Sequence, residues 1–347
     1  MEQNSSSSIL IIYTGGTIGM MENPETGVLE NFDWRTFKQF VPELKRFHIN
    51  IDSCAFRSPI DSSDMEPQHW VEIARTIADN YDRYNGFVLL HGTDTMAYTA
   101  SALSFMLEDL QKPVIITGSQ LPIGQLRTDG KENLLTSIEI ASAKDEDGNP
   151  MVPEVCIFFQ NQLLRGNRTT KINTEGFNAF RSYNYPILAK AGIHIHYSNH
   201  LIRKVREQLP LKPHYDLDSN VVILTLFPGI RKEIVDSIFS IKGLRGVILK
   251  TFGSGNAPRS QWLLQALRRI TAEGVIVVNV SQCSTGSVEM QRYETGMQLL
   301  QLGIINGYDA TIEATLTKLM FLLGQNYSYD TIVRYMGESI SGEITVV

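Results

Sequence analysis

Ile9-Leu-Ile-Ile-Tyr13, closed by Thr14-Gly-Gly-Thr17, and Phe87-Val-Leu-Leu-His91, closed by Gly92-Thr-Asp-Thr95, decide the fold. Each is a short apolar run ending in small polar residues, which reads as a buried strand that delivers its carboxyl end to a turn. After the second run, Ala97, Ala100, Leu103, Leu107 and Leu110 recur at helical spacing, so a helix is expected from Asp94 or Thr95 to Leu110, with an N-cap at its start. Strands that feed helices in this way make a parallel α/β sheet. Residues 114–117 and 155–159 repeat the strand pattern, and residues 221–226, 246–249 and 275–280 carry it into the second half, separated by amphipathic stretches such as 260–269.

A chain of 347 residues is longer than one hydrophobic core usually serves, so two domains are expected. Residues 191–219 hold His194, His196, His200 and His214 together with Pro210 and Pro213, and their periodicity is weaker. A linker is placed there. The fold class is therefore α/β: a larger N-terminal parallel-sheet domain over 1–190, the linker 191–219, and a smaller C-terminal α/β domain over 220–347.

Composition excludes several function classes. Thirty-seven acidic against 31 basic residues give a net charge of −6, with no long basic run to track phosphates, so nucleic acid is not an expected partner. With 43% hydrophobic and 20% charged residues the chain falls in the soluble class, and no run reaches the roughly 18 apolar residues of a membrane span. Cys54, Cys156 and Cys283 are odd in number and far apart, which fits neither a disulfide framework nor a C-x-x-C pair. Glu2 and the serine run 5–8 precede the first apolar stretch without a basic n-region or a secretory h-region. These features point to a reducing, cytoplasmic setting.

In open parallel sheets ligands sit outside the carboxyl ends of the strands. Thr14-Gly15-Gly16-Thr17, Gly92-Thr93-Asp94-Thr95, Gly118-Ser119-Gln120 and Arg168-Thr169-Thr170-Lys171 should therefore share one crevice. A threonine hydroxyl becomes a useful nucleophile only when a group accepts its proton. Lys171 can do this only when neutral, which burial favours and a neighbouring Asp94 opposes, and proton sharing through Thr93 is one way such a pair can work. Gly15, Gly16 and Gly92 allow close backbone approach, and their N–H groups can form an oxyanion hole. Taken singly, the first segment is an ordinary tight turn, Thr-Asp at a helix start an ordinary cap, and Lys171 a surface charge. Together they describe an α/β enzyme with a hydroxyl-rich site, and the residues alone carry no further.

Tyr13-Thr-Gly-Gly-Thr-Ile-Gly19 and His91-Gly-Thr-Asp-Thr95 closely resemble the two signature motifs of bacterial-type L-asparaginases. Asp61-Ser-Ser-Asp-Met65, Thr117-Gly-Ser-Gln-Leu-Pro122, Arg168-Thr-Thr-Lys171, Gly255-Asn-Ala-Pro258 and Glu313-Ala-Thr-Leu-Thr-Lys318 extend the resemblance over residues 9–325, and the chain looks like the cytoplasmic, type I branch. The resemblance implies Thr17 as nucleophile and Thr93, Asp94 and Lys171 as a companion triad. It implies that Asp61, Ser62 and Ser63, with Thr93 and Asp94, hold the α-amino and α-carboxylate groups of L-asparagine, and that Ser119 lies near the amide. Attack on the side-chain carbonyl, loss of ammonia and hydrolysis of a β-aspartyl ester on Thr17 follow. No metal or organic cofactor is implied, and a homodimer or homotetramer is.

Two positions depart from the family pattern. The family's loop tyrosine, bonded to the nucleophile, aligns with Val28, and no tyrosine lies between Thr17 and Arg35. The loop 20–32, with Pro24 and Gly27, still reads as a lid. Some type I relatives resemble this chain at a second, allosteric asparagine site, which here would draw on Thr170, Lys250, Ser281 and Cys283. Lys250 stands where such relatives carry an arginine, and lysine lacks the bidentate carboxylate contact, so activation by asparagine is expected to be weak or absent.

Three other readings compete. A nicotinamide-binding oxidoreductase would want G-x-G-x-x-G opening a helix, whereas Gly15-Gly-Thr-Ile-Gly19 has other spacing and Pro24 and Gly27 follow. The amidase-like subunit of a glutamyl-tRNA amidotransferase shares the threonine motifs but would carry an extra N-terminal domain. A non-catalytic amino-acid-binding module fits a site without its loop tyrosine. His194, His196 and His200 lack an acidic or cysteine companion nearby in sequence, so they are read as ordinary histidines and not as a metal site.

Overall fold

The computed structural model describes residues 7–22, 29–30, 39, 41–204 and 209–345. Val28, Pro24 and Gly27 lie outside the described residues, as does most of the expected lid.

The chain forms two compact units, Met1–Tyr215 and Asp216–Val347. The first is built on an eight-stranded sheet. Its strands are β1 (Ser8–Gly15), β2 (Asn50–Ile60), β3 (Gly86–Leu90), β4 (Val114–Thr117), β5 (Val155–Phe159), β6 (Gln162–Arg165), β7 (Ala189–Ala191) and β8 (Ile195–Tyr197). They lie in the order β8-β7-β6-β5-β4-β3-β1-β2. β2, β1, β3, β4 and β5 run parallel, and β6, β7 and β8 continue the sheet antiparallel. The chain leaves β1 for β2 on one side and returns to β3 on the other, so the order reverses between β1 and β3. Connections that diverge at such a point leave an open crevice above the two strand ends.

Burial explains the strand sequences. β3, β4 and β5 are buried along their whole length, which requires the continuous apolar runs that make them readable. Ile9, Ile11 and Tyr13 of β1, Val88 and Leu90 of β3 and Ile115 of β4 share a core with Leu134 and Ile138 of a helix at Gly130–Ser142. Two further helices of this unit matter to the site: α1 (Pro67–Asp79) and α2 (Met96–Met106), with Gly130–Ser142 becoming α3.

The helix expected to reach Leu110 ends at Met106. Leu107–Glu108 instead pairs with Lys212–Pro213, and Asp109 turns the chain with φ 59°. The expected cap also differs: the Thr95 hydroxyl makes no capping bond and donates to the Ser62 carbonyl oxygen at 2.7 Å. Within residues 191–219, Ile195–Tyr197 pairs with β7.

The second unit carries a four-stranded parallel sheet, β9 (Val221–Thr225), β10 (Gly246–Thr251), β11 (Ile276–Ser281) and β12 (Ile305–Asn306), in sequential order. Helices Lys232–Phe239 and Gln261–Ala272 bury Val235, Phe239, Leu263 and Leu267 against Val247, Leu249 and Val277. Helix Ile312–Gly324 is buried nearly all round, and its Lys318 is paired with Glu343 at 2.5 Å. Among the described residues no helix is long and apolar enough to cross a membrane.

Candidate active site

Turns at the carboxyl ends of the parallel strands converge above the reversal between β1 and β3, and the segment that follows the antiparallel β6 joins them there. After β1 the backbone passes Gly15 and Gly16 at φ 143° and 87° and enters a 3-10 turn at Thr17–Gly19. A Cβ on Gly16 would fall 2.5 Å from the Gly92 Cα, and one on Gly92 would fall 2.5 Å from Ser62 Oγ. Glycine is therefore required at Gly16 by the approach of the Gly92 backbone and at Gly92 by the approach of the Ser62 side chain. Thr17 is half-buried beside this contact.

The turn after β2 is a 3-10 segment, Ser62–Asp64, capped by Asp61. One carboxylate oxygen of Asp61 accepts both the Ser63 backbone N–H and the Ser63 hydroxyl at 2.9 Å. The backbone N–H first, and the hydroxyl second, hold the Asp61 carboxyl below the ordinary carboxylate range, although the side chain is exposed. Ser62 is buried and accepts the Asp94 N–H on its hydroxyl at 3.3 Å.

After β4, Gly118 packs on the His91 carbonyl, and the turn to Leu121 is shaped by Asp129. Its carboxylate accepts the Gln120 N–H at 3.0 Å and the Leu121 N–H at 3.2 Å. Burial raises the Asp129 carboxyl despite these bonds. Asn133, on α3, donates to the Gly118 carbonyl at 3.0 Å and to Asp129 at 3.2 Å. Ser119 is buried in this turn, its hydroxyl donating to the Leu121 carbonyl.

The segment after the antiparallel β6 delivers Lys171. Gly166–Arg168 forms a buried 3-10 turn, and a Cβ on Gly166 would fall 3.0 Å from that of Ala100 on α2. Packing there brings Thr170 and Lys171 to the start of α2. Lys171 Nζ donates to Thr93 Oγ1 at 2.8 Å and to Asp94 Oδ1 at 2.6 Å. The lysine is mostly buried and the aspartate mostly exposed, 16% against 60%. Gln120 joins the turns: its Nε2 donates to the Gly176 carbonyl at 3.1 Å, and its Oε1 faces Thr93 Oγ1 at 3.4 Å.

Thr93, Asp94, Lys171 and Ser62 are thus linked by hydrogen bonds, with Asp61 and Ser63 flanking Ser62 in its own turn and Ser119 in the turn after β4. Thr17 stands on the turn that Gly16 locks against Gly92. Of the other residues singled out, Thr170 belongs to the first unit and Lys250, Ser281 and Cys283 to the second. Within that second unit they gather at the carboxyl ends of β10 and β11: Ser281 Oγ donates to the Gly253 carbonyl at 2.6 Å and accepts the Cys283 N–H at 2.9 Å. Asp129 and Asn133 shape the site although spacing alone does not select them. Their signal is geometric and lies at the start of the helix Gly130–Ser142, beyond the strand that ends at Thr117. Among the described residues, no group of three or more His, Cys, Asp or Glu side chains could hold a metal ion.

Comparison with known proteins bears directly on this arrangement. The family described as "Asparaginase, N-terminal" matches residues 8–203, and "Glutaminase/Asparaginase C-terminal domain" matches residues 220–336. This chain belongs to the asparaginase family. It is 43% identical to L-asparaginase 1 of Escherichia coli K12 over 347 residues, covering 97% of this chain and 98% of that one. The crystal structure of L-asparaginase I from Vibrio cholerae superposes with a TM-score of 0.87 at 42% identity, over 98% of this chain and 100% of that one. A glutamyl-tRNA(Gln) amidotransferase subunit of Pyrococcus horikoshii is 34% identical over 352 residues, 97% of this chain and 76% of that protein. The asparaginase fold, with its larger parallel-rich sheet and separate smaller parallel sheet, accounts for the architecture above.

Proposed function

We propose that this chain is a cytoplasmic L-asparagine amidohydrolase that converts L-asparagine and water to L-aspartate and ammonia, with Thr17 as nucleophile. The observation that carries the reading is the contact of Lys171 with both Thr93 and Asp94, made across 78 and 77 residues of chain. Neither a tight turn nor a helix cap requires a mostly buried amine at that point.

The substrate binds by its two charged ends. Asp61 commits one carboxylate oxygen to Ser63, which leaves the other for the α-ammonium, and the exposed Asp94 carboxylate supplies a second acceptor. Ser62 and Ser63 take the α-carboxylate. The side-chain carbonyl then faces Thr17, with backbone N–H groups around Gly16, Gly92 and Ser119 as donors to the developing oxyanion.

Thr17 Oγ1 bonds to the amide carbon, the proton it gives up is delivered to the amide nitrogen, and the C–N bond breaks to release ammonia. Water then adds to the β-aspartyl ester, aspartate leaves, and Thr17 recovers its hydroxyl. Thr93, Lys171 and Asp94 form a continuous path along which these protons are held and returned.

The strong likeness to L-asparaginases along almost the whole chain favours this reading over an amidotransferase subunit or a binding module. A rapid acid quench during turnover, followed by peptide mass spectrometry, tests the nucleophile: the mass of one aspartyl group on the Thr17 peptide is expected, and the same group on another residue contradicts it. A homodimer or homotetramer, and a second asparagine site at Thr170, Lys250, Ser281 and Cys283 weakened by Lys250, complete the reading. The three free thiols suit a reducing compartment.

A further inference from the structure

Behind the Gly92-Thr93-Asp94 turn runs a buried chain of hydrogen bonds whose direction the donors dictate. Trp70 Nε1, on α1, can only donate, and it gives its proton to Thr99 Oγ1 at 3.0 Å. That hydroxyl, on α2, keeps its own proton to give to His91 Nε2 at 2.9 Å. His91 Nδ1 faces the Gly92 carbonyl oxygen at 2.7 Å, and because a carbonyl can only accept, Nδ1 carries the proton. All four groups are satisfied only by the neutral Nδ1–H tautomer. His91 and Thr99 are fully buried and Trp70 nearly so, which leaves no water to supply a substitute partner.

The same two backbone residues are where the turns of the site meet. A Cβ on Gly118 would fall 2.3 Å from the His91 carbonyl oxygen, and one on Gly16 would fall 2.5 Å from Gly92 N. Gly92 has the widest backbone freedom of any residue type, yet the peptide that links it to Thr93 must hold one orientation for Lys171 to reach the Thr93 hydroxyl.

We propose that His91 is a positioning residue: through its Nδ1–H bond to the Gly92 carbonyl it fixes the peptide from which Thr93 projects, and Trp70 and Thr99 act by holding the ring in the tautomer that makes this bond. The inference rests on the reading of Thr93 as part of the proton path. His91 touches no substrate atom, and its effect belongs to the geometry between Thr17, Thr93 and Lys171. A misplacement of about 1 Å at a reacting group can cost on the order of 100-fold in rate, so a partial loss of this restraint is visible in turnover.

The experiment compares full-length wild type, Thr99→Val and Thr99→Ser, by steady-state kinetics with L-asparagine and by NMR of the 15N-labelled histidine rings. Valine keeps the shape and removes the relay, whereas serine keeps the hydroxyl. The expected result is an Nδ1–H ring at His91 in the wild type. Thr99→Val should show mixed tautomers and about a tenfold lower kcat, with KM changed less than about twofold, and Thr99→Ser should recover most of the loss. An Nε2–H ring in the wild type would overturn the proposal. So would wild-type kcat in Thr99→Val, or a loss that serine does not rescue. Should Thr99→Val not fold, Trp70→Phe removes the first donor, and an unchanged tautomer and kcat in that variant overturn the proposal equally. An active Thr17→Ala chain would instead overturn the reading of the site while leaving the tautomer result standing, so the two failures are distinguishable.

Discussion

Lys171 Nζ lies 2.6 Å from Asp94 Oδ1 and 2.8 Å from the hydroxyl of the residue before it, Thr93. One amine therefore serves two successive residues at the mouth of the crevice, on the strand next to the one that carries Thr17. The aspartate is open to solvent while the amine is mostly buried, and on the proposed reading the pair has a wet end for the α-ammonium and a shielded end for the proton path.

Asp61 should govern affinity more than turnover. Asp61→Asn removes the charge that meets the α-ammonium, and KM is expected to rise by about tenfold or more with a smaller change in kcat, in line with the roughly 1.5–3 kcal/mol of a hydrogen bond to a charged group. Because the Ser63 N–H and hydroxyl lower the Asp61 carboxyl, the rise in KM as pH falls should begin at a lower pH than an unbonded aspartate would give. In Ser63→Ala, which removes the hydroxyl donor, the rise should begin at higher pH, and initial rates over a pH series measure both.

Gly16 should tolerate no side chain. At φ 87°, with a Cβ position 2.5 Å from the Gly92 backbone, Gly16→Ala meets both a strained conformation and a backbone clash. A cost of about 2 kcal/mol or more is expected, with loss of activity because the first and second motifs are forced apart. Urea unfolding and ammonia release measure the two effects, and a variant as stable and active as wild type would contradict the close approach.

His91 should make the protein labile in acid. Burial lowers its imidazole from 6.5 to about 4, so between those values the unfolded chain binds a proton that the folded chain refuses. Stability is then lost as pH falls from 6.5 toward 4, by about 2–3 kcal/mol at pH 4.5 from this group. Wild type should lose that much more than His91→Phe between pH 7 and pH 4.5 in urea unfolding, and equal losses would show that His91 is not held neutral.

Asparagine should not activate its own hydrolysis strongly. Lys250 lacks the bidentate fork that an arginine would offer a carboxylate. Initial rates against L-asparagine are expected to be hyperbolic, and clear sigmoidicity that Lys250→Ala removes would contradict this.

Strands β1, β3, β4 and β5 are legible because both of their faces are buried and their sequences are continuous apolar runs. β2 escapes the same reading: it borders the sheet, pairs only with β1, and carries the mixed pattern Asn-Ile-Asp-Ser-Cys-Ala-Phe-Arg-Ser-Pro-Ile. Helix α2 ends four residues before its spacing predicts, because Leu107 and Leu110 keep the helical period, whereas the partner that ends the helix, Lys212–Pro213, lies about a hundred residues away. The polar strand ends are visible as candidates, since turns that present hydroxyls and glycines after buried strands are few. The supports behind them are not: Trp70, Thr99 and His91 meet only after α1 and α2 have packed, and Asp129 and Asn133 reach the third turn from the start of α3.

The most direct test is ammonia release by the purified chain with L-asparagine, L-glutamine or no substrate, in wild type, Thr17→Ala and Lys171→Ala. Each variant is first shown to be folded by its unfolding transition. Release from L-asparagine is expected in the wild type and should fall by at least about a thousandfold in both variants. Saturable asparagine binding by the wild type without ammonia release, or undiminished release from either variant, would contradict the account.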